Sequence, residues 1–249
     1  MARIIVLGAS GSGKSWYAGY LMERILEDGN DEGETFDFAA HLDYKDEELG
    51  LSATDLDEYD SLYTTIKVDP DTYENANWLR VLYRHGQIRL VPVDLTLDQI
   101  RDLYGIIAKA AMKLGREGAG SVFVSCDEAH HVVPQEYNMD ERVETLLTTG
   151  RAFGVESLHI TQRPALIHKT ILSQCDKGVY FRMGEENDVK KIRGSVGFRA
   201  DQLLEFSSRK AVVENKESGD HTVIDTNEYS RRRPHYSGDD GIADDAFPV

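Results

Sequence analysis

The stretch Gly8-Ala9-Ser10-Gly11-Ser12-Gly13-Lys14-Ser15 matches G-x-x-x-x-G-K-[ST] and follows the apolar run Ala2-Arg3-Ile4-Ile5-Val6-Leu7 without a gap. A run that is apolar on both faces reads as a strand inside a parallel sheet. The glycines let the backbone curl so that successive N–H groups converge, and a helix starting near Lys14 adds the positive end of its dipole. Such a cradle accepts a polyphosphate, with Gly8, Ser10, Gly11, Ser12, Gly13, Lys14 and Ser15 as its binding residues. Lys14 is expected to reach the β- and γ-phosphates of ATP, and the Ser15 hydroxyl to ligate Mg²⁺.

Past Lys14, the residues Trp16, Tyr17, Tyr20, Leu21, Ile25 and Leu26 recur near helical spacing, and the acidic, glycine-containing stretch 28–34 ends that helix. Strands are expected at about 35–40, 62–68, 88–93, 121–126, 157–161, 178–181, 210–214 and 221–224. Helical patterns fall at about 71–83, 97–114 and 139–153. This alternation reads as a doubly wound α/β fold with a mainly parallel sheet. With 249 residues, 41% of them hydrophobic, the chain supports one domain with a sizeable core, assigned to residues 1–226. From 227 to 249 the composition changes to Arg231-Arg232-Arg233-Pro234 and then aspartate with glycine, which reads as an extended, flexible tail.

Charge and cysteine content narrow the setting. The 44 acidic residues outnumber the 28 basic ones and give a formal charge of −16, so any DNA contact has to be local. Acid spread along the chain suits either a salt-adapted, halophilic surface or an ordinary acidic protein. Two cysteines, Cys126 and Cys175, make no disulfide framework, and no run approaches the roughly 18 apolar residues of a membrane span. A cytoplasmic location is the expectation, without a leader or transmembrane segment.

Val122-Phe123-Val124-Ser125-Cys126-Asp127-Glu128 is a second apolar strand ending in two carboxylates, as in a Walker B element. Asp127 is expected to hold the Mg²⁺ shell through water, and Glu128 to orient and deprotonate the water that attacks the γ-phosphorus. The string Asp127-Glu128-Ala129-His130 also reads as a DEAH box. However, about 120 residues after Glu128 leave no room for a second motor domain, and a serine-alanine-threonine element is missing. His130 and His131 are adjacent and expected to point apart, with no third metal ligand evident.

With Thr149-Gly150-Arg151-Ala152-Phe153-Gly154, the strand at 157–161 and then Gln162-Arg163-Pro164, the chain resembles the HerA/FtsK superfamily of DNA-pumping ATPases. Within it the likeness is to the short genome-packaging ATPases of tailless icosahedral viruses with an internal membrane, and a salt-adapted surface would fit a virus or provirus of halophilic archaea. The resemblance spans about 160 residues and implies a RecA-like P-loop NTPase fold in which the strand ending at Gln162 lies between the two Walker strands. It implies that Gln162 senses the γ-phosphate and that Arg151 acts as an arginine finger on a neighbouring subunit. A strand-end amide satisfying loop backbone and a surface salt bridge are the alternatives for these two residues.

The expected activity is ATP-driven translocation of double-stranded DNA by a homo-oligomeric, hexameric ring. Genome packaging leads, with capsid or membrane-vertex proteins as docking partners and virion association as a second location. Plasmid transfer, chromosome handling and a nucleotide-gated structural component of a virion remain alternatives. The chain as given has no room for the accessory domains of larger members. Lys190, Lys191, Arg193 and Arg199 read either as a DNA-touching pore loop or as a salt-bridged face with Glu185, Glu186 and Asp188. Arg231 to Arg233 read as a solvated basic spot, with DNA or capsid binding as the alternative.

Overall fold

Strand β1 (Arg3–Leu7) alternates strictly: Ile5 and Leu7 enter one apolar cluster and Ile4 and Val6 another, so the strand is buried on both faces. The computed structural model describes residues 2–29, 33–52 and 61–235. After β1 come α1 (Lys14–Glu27), β2 (Phe38–Leu42), β3 (Thr64–Val68), α2 (Pro70–Asn75), α3 (Trp78–His85), β4 (Gln87–Pro92), α4 (Leu97–Arg116) and β5 (Val122–Cys126). Then follow α5 (Ala129–Val132), α6 (Glu141–Thr149), β6 (Val155–Thr161), α7 (Lys169–Gln174), β7 (Lys177–Phe181), α8 (Glu186–Ile192), β8 (Lys210–Asn215) and β9 (His221–Asp225).

The strands form one sheet in the order β3-β4-β2-β5-β6-β1-β7-β8-β9. The run from β3 to β7 is parallel, and β8 and β9 close that edge as an antiparallel hairpin. The α/β, RecA-like architecture is therefore present, with β6 between the two Walker strands β1 and β5. Helix α1 covers one face through Tyr17, Ala18, Met22 and Ile25, against Phe123, Leu158 and Val179. On the other face α4 presents Leu103, Tyr104, Ile107 and Ala111 to Ile5, Val122 and Val124. A parallel sheet covered on both sides turns its carboxyl ends into one rim of loops, and β1, β5 and β6 are neighbours there.

Local chemistry moves several expected boundaries. The strand expected at 35–40 begins at Phe38, because Asp37 uses its carboxylate to accept the Ser121 N–H at 2.8 Å. The helix expected over 71–83 is two: Ala76 is extended, and Asn77 caps α3 by accepting the Arg80 N–H. The helix expected over 139–153 stops at Thr149, and a 3₁₀ turn over Gly150–Phe153 leads to Gly154 at φ 71. Helices α5, α7 and α8 have four to seven residues each, too few to show a period.

The expected tail also needs correction over its first part. Tyr229 packs edge-on to Tyr17 and Tyr20. The Arg231 and Arg233 side chains are buried against α1 rather than solvated, and the backbone N–H groups of Arg232 and Arg233 donate to Glu23 at 2.7 and 2.9 Å. Gly19 makes room, since a Cβ there would lie 2.4 Å from the Arg231 guanidinium. Residues 236–249 of that tail lie outside the described residues.

Candidate functional site at the carboxyl edge of the sheet

The loop after β1 takes the cradle shape that its glycines predict. Gly11 and Gly13 have φ of 69° and 99°, a region that disfavours side chains, and Gly13 stands at the amino end of α1. At Gly8 a Cβ would meet the Phe181 Cβ at 2.5 Å, so only glycine lets the loop leave the sheet there. The loop is tied to both neighbours of β1: Gly8 N–H donates to Thr161 O at 3.3 Å and Ala9 N–H to Arg182 O at 2.8 Å. Lys14 is 5% exposed, and the Ser12 hydroxyl is buried without a hydrogen-bond partner among the described residues. A cavity of about 560 Å³ opens over the loop, lined by Ser10 through Trp16, by Gln162, and by Lys45, Arg209 and His235.

At the end of β5, Asp127 is 5% exposed and its Oδ1 has no hydrogen-bond partner among the described residues. Burial above all, then the adjacent Glu128 and Asp43, push its carboxyl up to about 7 against the pull of Lys14. Glu128 adopts φ 47, left-handed for a residue with a side chain, which turns its carboxyl inward until 1% is exposed. There it is ion-paired with the Lys45 ammonium and lies 3.3 Å from His130 Nδ1. Burial works against charge on Lys45, yet the Glu128 carboxylate more than offsets it and raises the lysine.

His130 continues the chain of contacts, its Nδ1 lying 2.9 Å from Thr161 Oγ1, which also accepts the Arg163 N–H at 3.1 Å. Burial first, then His131, lower the imidazole to about 4, so it is neutral near pH 7. The two histidines do not point apart as expected. Their rings pack 4.1 Å centroid to centroid because α5 is one tight turn, and His131 stacks on Tyr44 at 4.6 Å. No group of three or more metal-ligating side chains occurs among the described residues.

The structure brings the P-loop, Asp127, Glu128 and Gln162 to one rim and leaves Arg151 away from it. Arg151 lies in the turn before β6 and Gln162 follows its end. Seven residues of strand separate them by about 20 Å at 3.3 Å per residue. The Arg151 side chain is 48% exposed, with Nη1 3.8 Å from Asp176, a carboxylate already engaged by Arg3 at 2.8 Å. Lys190 and Arg193 pair with Glu186 at 3.5 Å and Asp201 at 2.6 Å, and Lys191 donates to Gln135.

Sequence reasoning missed Lys45, Thr161 and Arg209. Lys45 carries a weak signal, standing three residues beyond an apolar strand that ends at the same rim. Arg209 carries none: it sits in a Ser-Ser-Arg loop 194 residues after Ser15. Behind the rim, Asp43 and Arg89 form a fully buried pair at 2.8 Å that fixes the end of β2.

Residues 2–164 match the family model of the helicase HerA central domain. A probable helicase of Methanocaldococcus jannaschii is 24% identical over 172 residues, which cover 65% of this chain and 33% of that protein, so the chain spans about a third of its relative. Among solved structures, the genome-packaging NTPase B204 of Sulfolobus turreted icosahedral virus 2, in complex with AMPPCP, superposes with a TM-score of 0.61 at 14% identity. That match covers 89% of this chain and 96% of that one. VirB4 of Thermoanaerobacter pseudethanolicus superposes with a TM-score of 0.59 at 11% identity, covering 89% and 88%. At these identities the two structures show a shared fold.

Proposed function

The chain belongs to the helicase HerA central-domain family, and from that premise we propose that it is an ATPase that drives double-stranded DNA, acting as a genome-packaging motor in a homo-oligomeric, hexameric ring. The observation that carries this reading is the placement of β6. It sets Gln162 beside the phosphate cradle and Glu128, and sets Arg151 at the opposite end of the same strand. An arginine about 20 Å from its own cradle serves catalysis only on another subunit's nucleotide. The likeness to a viral packaging NTPase over nearly the whole of both chains supports the packaging reading.

The residues divide the work as follows. The cradle N–H groups and Lys14 bind the phosphates. Glu128 accepts a proton from the water whose oxygen attacks the γ-phosphorus, while the bond between that phosphorus and the β,γ-bridging oxygen breaks and ADP departs with the oxygen. Gln162 orients that water or the phosphate, and Arg151 of the neighbour neutralises charge on the transferred group. The buried Oδ1 of Asp127, without a hydrogen-bond partner among the described residues, leaves an acceptor for a cation or its water. Ser15 would hold Mg²⁺ through its hydroxyl and Asp127 would hold it through water. When bound, Mg²⁺ supplies charge neutralisation on the phosphates.

DNA would meet local basic residues, with Arg163, Lys190 and Arg199 exposed near or beyond the rim. Capsid or membrane-vertex proteins are the proposed docking partners, in the host cytoplasm and at the virion. No helix among the described residues is long and apolar enough to cross a membrane. The test is a mixing experiment with duplex DNA present. Arg151→Ala and Glu128→Gln should each be nearly inactive, Arg151→Ala by a factor on the order of 10³. Co-assembled, they should regain activity, because a Glu128→Gln neighbour offers an intact Arg151 to a subunit that retains Glu128. Co-assembly without gain would sink the trans assignment, and no effect of DNA on wild-type turnover would sink the motor.

A further inference from the structure

We propose that Trp16 and Arg209 form the shelf on which the nucleobase of the bound nucleotide stacks, an inference that rests on reading residues 8–15 as the phosphate cradle. The sheet order gives the direction. Asp127, Glu128 and Gln162, which face the γ end, come from β5 and β6 on one side of β1. The nucleoside at the other end of the phosphate chain therefore leaves on the side of β7 and β8. Arg209 stands there, directly before β8, and lines the same cavity as the cradle.

Arg209 is held in place by its backbone. Its N–H donates to Ser12 O at 2.9 Å, its carbonyl accepts the Thr226 N–H at 2.8 Å, and the neighbouring Ser208 hydroxyl donates to Gly11 O at 3.0 Å. Its φ of 71° is a strained value for an arginine. The side chain runs close over Gly13, where a Cβ would lie 2.8 Å from its Cδ, and it brings the guanidinium carbon to 4.7 Å from the centre of the Trp16 ring. Tyr20 lies parallel to the indole, 2° between planes, and fixes its orientation. In a chain with 44 acidic residues, no carboxylate among the described residues lies within ion-pair distance of Arg209. Two planar, weakly hydrated groups in contact beside a polyphosphate site suit the π-face of a base.

The shelf grips by stacking, which every base satisfies, so it predicts little discrimination between ATP and GTP. The test measures ADP and inorganic tripolyphosphate side by side, with Mg²⁺, by calorimetry and by tryptophan emission. Trp16 is partly exposed whereas Trp78 is 3% exposed, so ADP should change the emission and tripolyphosphate should not. Arg209→Ala and Trp16→Ala should weaken ADP about tenfold or more and leave tripolyphosphate within about twofold. Arg209→Lys should resemble Arg209→Ala, because an ammonium keeps the charge and loses the plane. If Trp16→Ala does not fold, the emission change and the Arg209 variants still decide. Equal loss of ADP and tripolyphosphate in Arg209→Ala would make Arg209 a phosphate ligand and overturn the shelf, as would unchanged ADP affinity. Tripolyphosphate binding that survives Lys14→Ala would instead overturn the cradle on which the shelf rests.

Discussion

Replacing Arg231 by alanine tests whether the basic segment near the chain's end is structural. Its guanidinium is 3% exposed and lies between two buried glutamates, with Nε 3.6 Å from Glu23 and Nη2 3.2 Å from Glu48. One positive charge cannot satisfy two carboxylates in such surroundings. Burial outweighs the pull of Arg231 and pushes the Glu48 carboxyl up to about 8, so it holds a proton near pH 7 while Glu23 accepts the Arg232 and Arg233 N–H groups. Removing the cation between them leaves buried Glu23 without this charged partner, a change that costs about 3–5 kcal/mol. Arg232→Ala is the control: its side chain is 33% exposed, its partners Glu27 and Asp28 lie at the surface, and about 1 kcal/mol or less is expected. Urea unfolding followed by circular dichroism supplies both values. The loss should also depend on pH. A carboxyl raised above its unfolded value stabilises fully below that value and loses its contribution as pH rises through the folded one. Arg231→Ala should therefore cost more at pH 8.5 than at pH 5. A loss below about 1 kcal/mol at both, as for a solvated tail, would refute the argument.

Other expectations follow from the rim. Lys14→Ala should abolish ATP binding, whereas Glu128→Gln should bind ATP and stop turnover, read by calorimetry and phosphate release. Lys45→Ala should raise DNA-independent hydrolysis several-fold by freeing Glu128 from its ion pair; a fall in rate would make Lys45 part of the catalytic apparatus. His159 is buried, with burial lowering its imidazole to about 4 and its Nε2 2.8 Å from the Tyr104 hydroxyl. A lowered imidazole supports the fold above pH 6.5 and loses that support as pH falls towards 4, by up to about 1.4 kcal/mol per unit. His159→Gln should flatten the acid limb of a stability profile by that slope, and an unchanged limb would assign it to other groups.

Features that depend on residues near one another in the chain are legible in the sequence. The cradle of residues 8–15, the Asp127-Glu128 pair and the alternation of strands and helices all arise from spacing, glycine conformation and apolar period, which act over a few residues. The three short helices and the break at Ala76 escaped because four to seven residues carry no readable period and a cap depends on one side chain. The order of β5, β6 and β1 came from resemblance alone, since strand order is a matter of long-range pairing. Only the tertiary structure joined Lys45 to Glu128, Arg209 to Trp16 and Arg231 to Glu23 and Glu48, pairs separated by 83, 193, and 208 and 183 positions. Each is an encounter of charge or planarity at a place that packing creates, and even where one partner is legible locally, as Glu128 is at the end of its apolar strand, nothing in the sequence names the other.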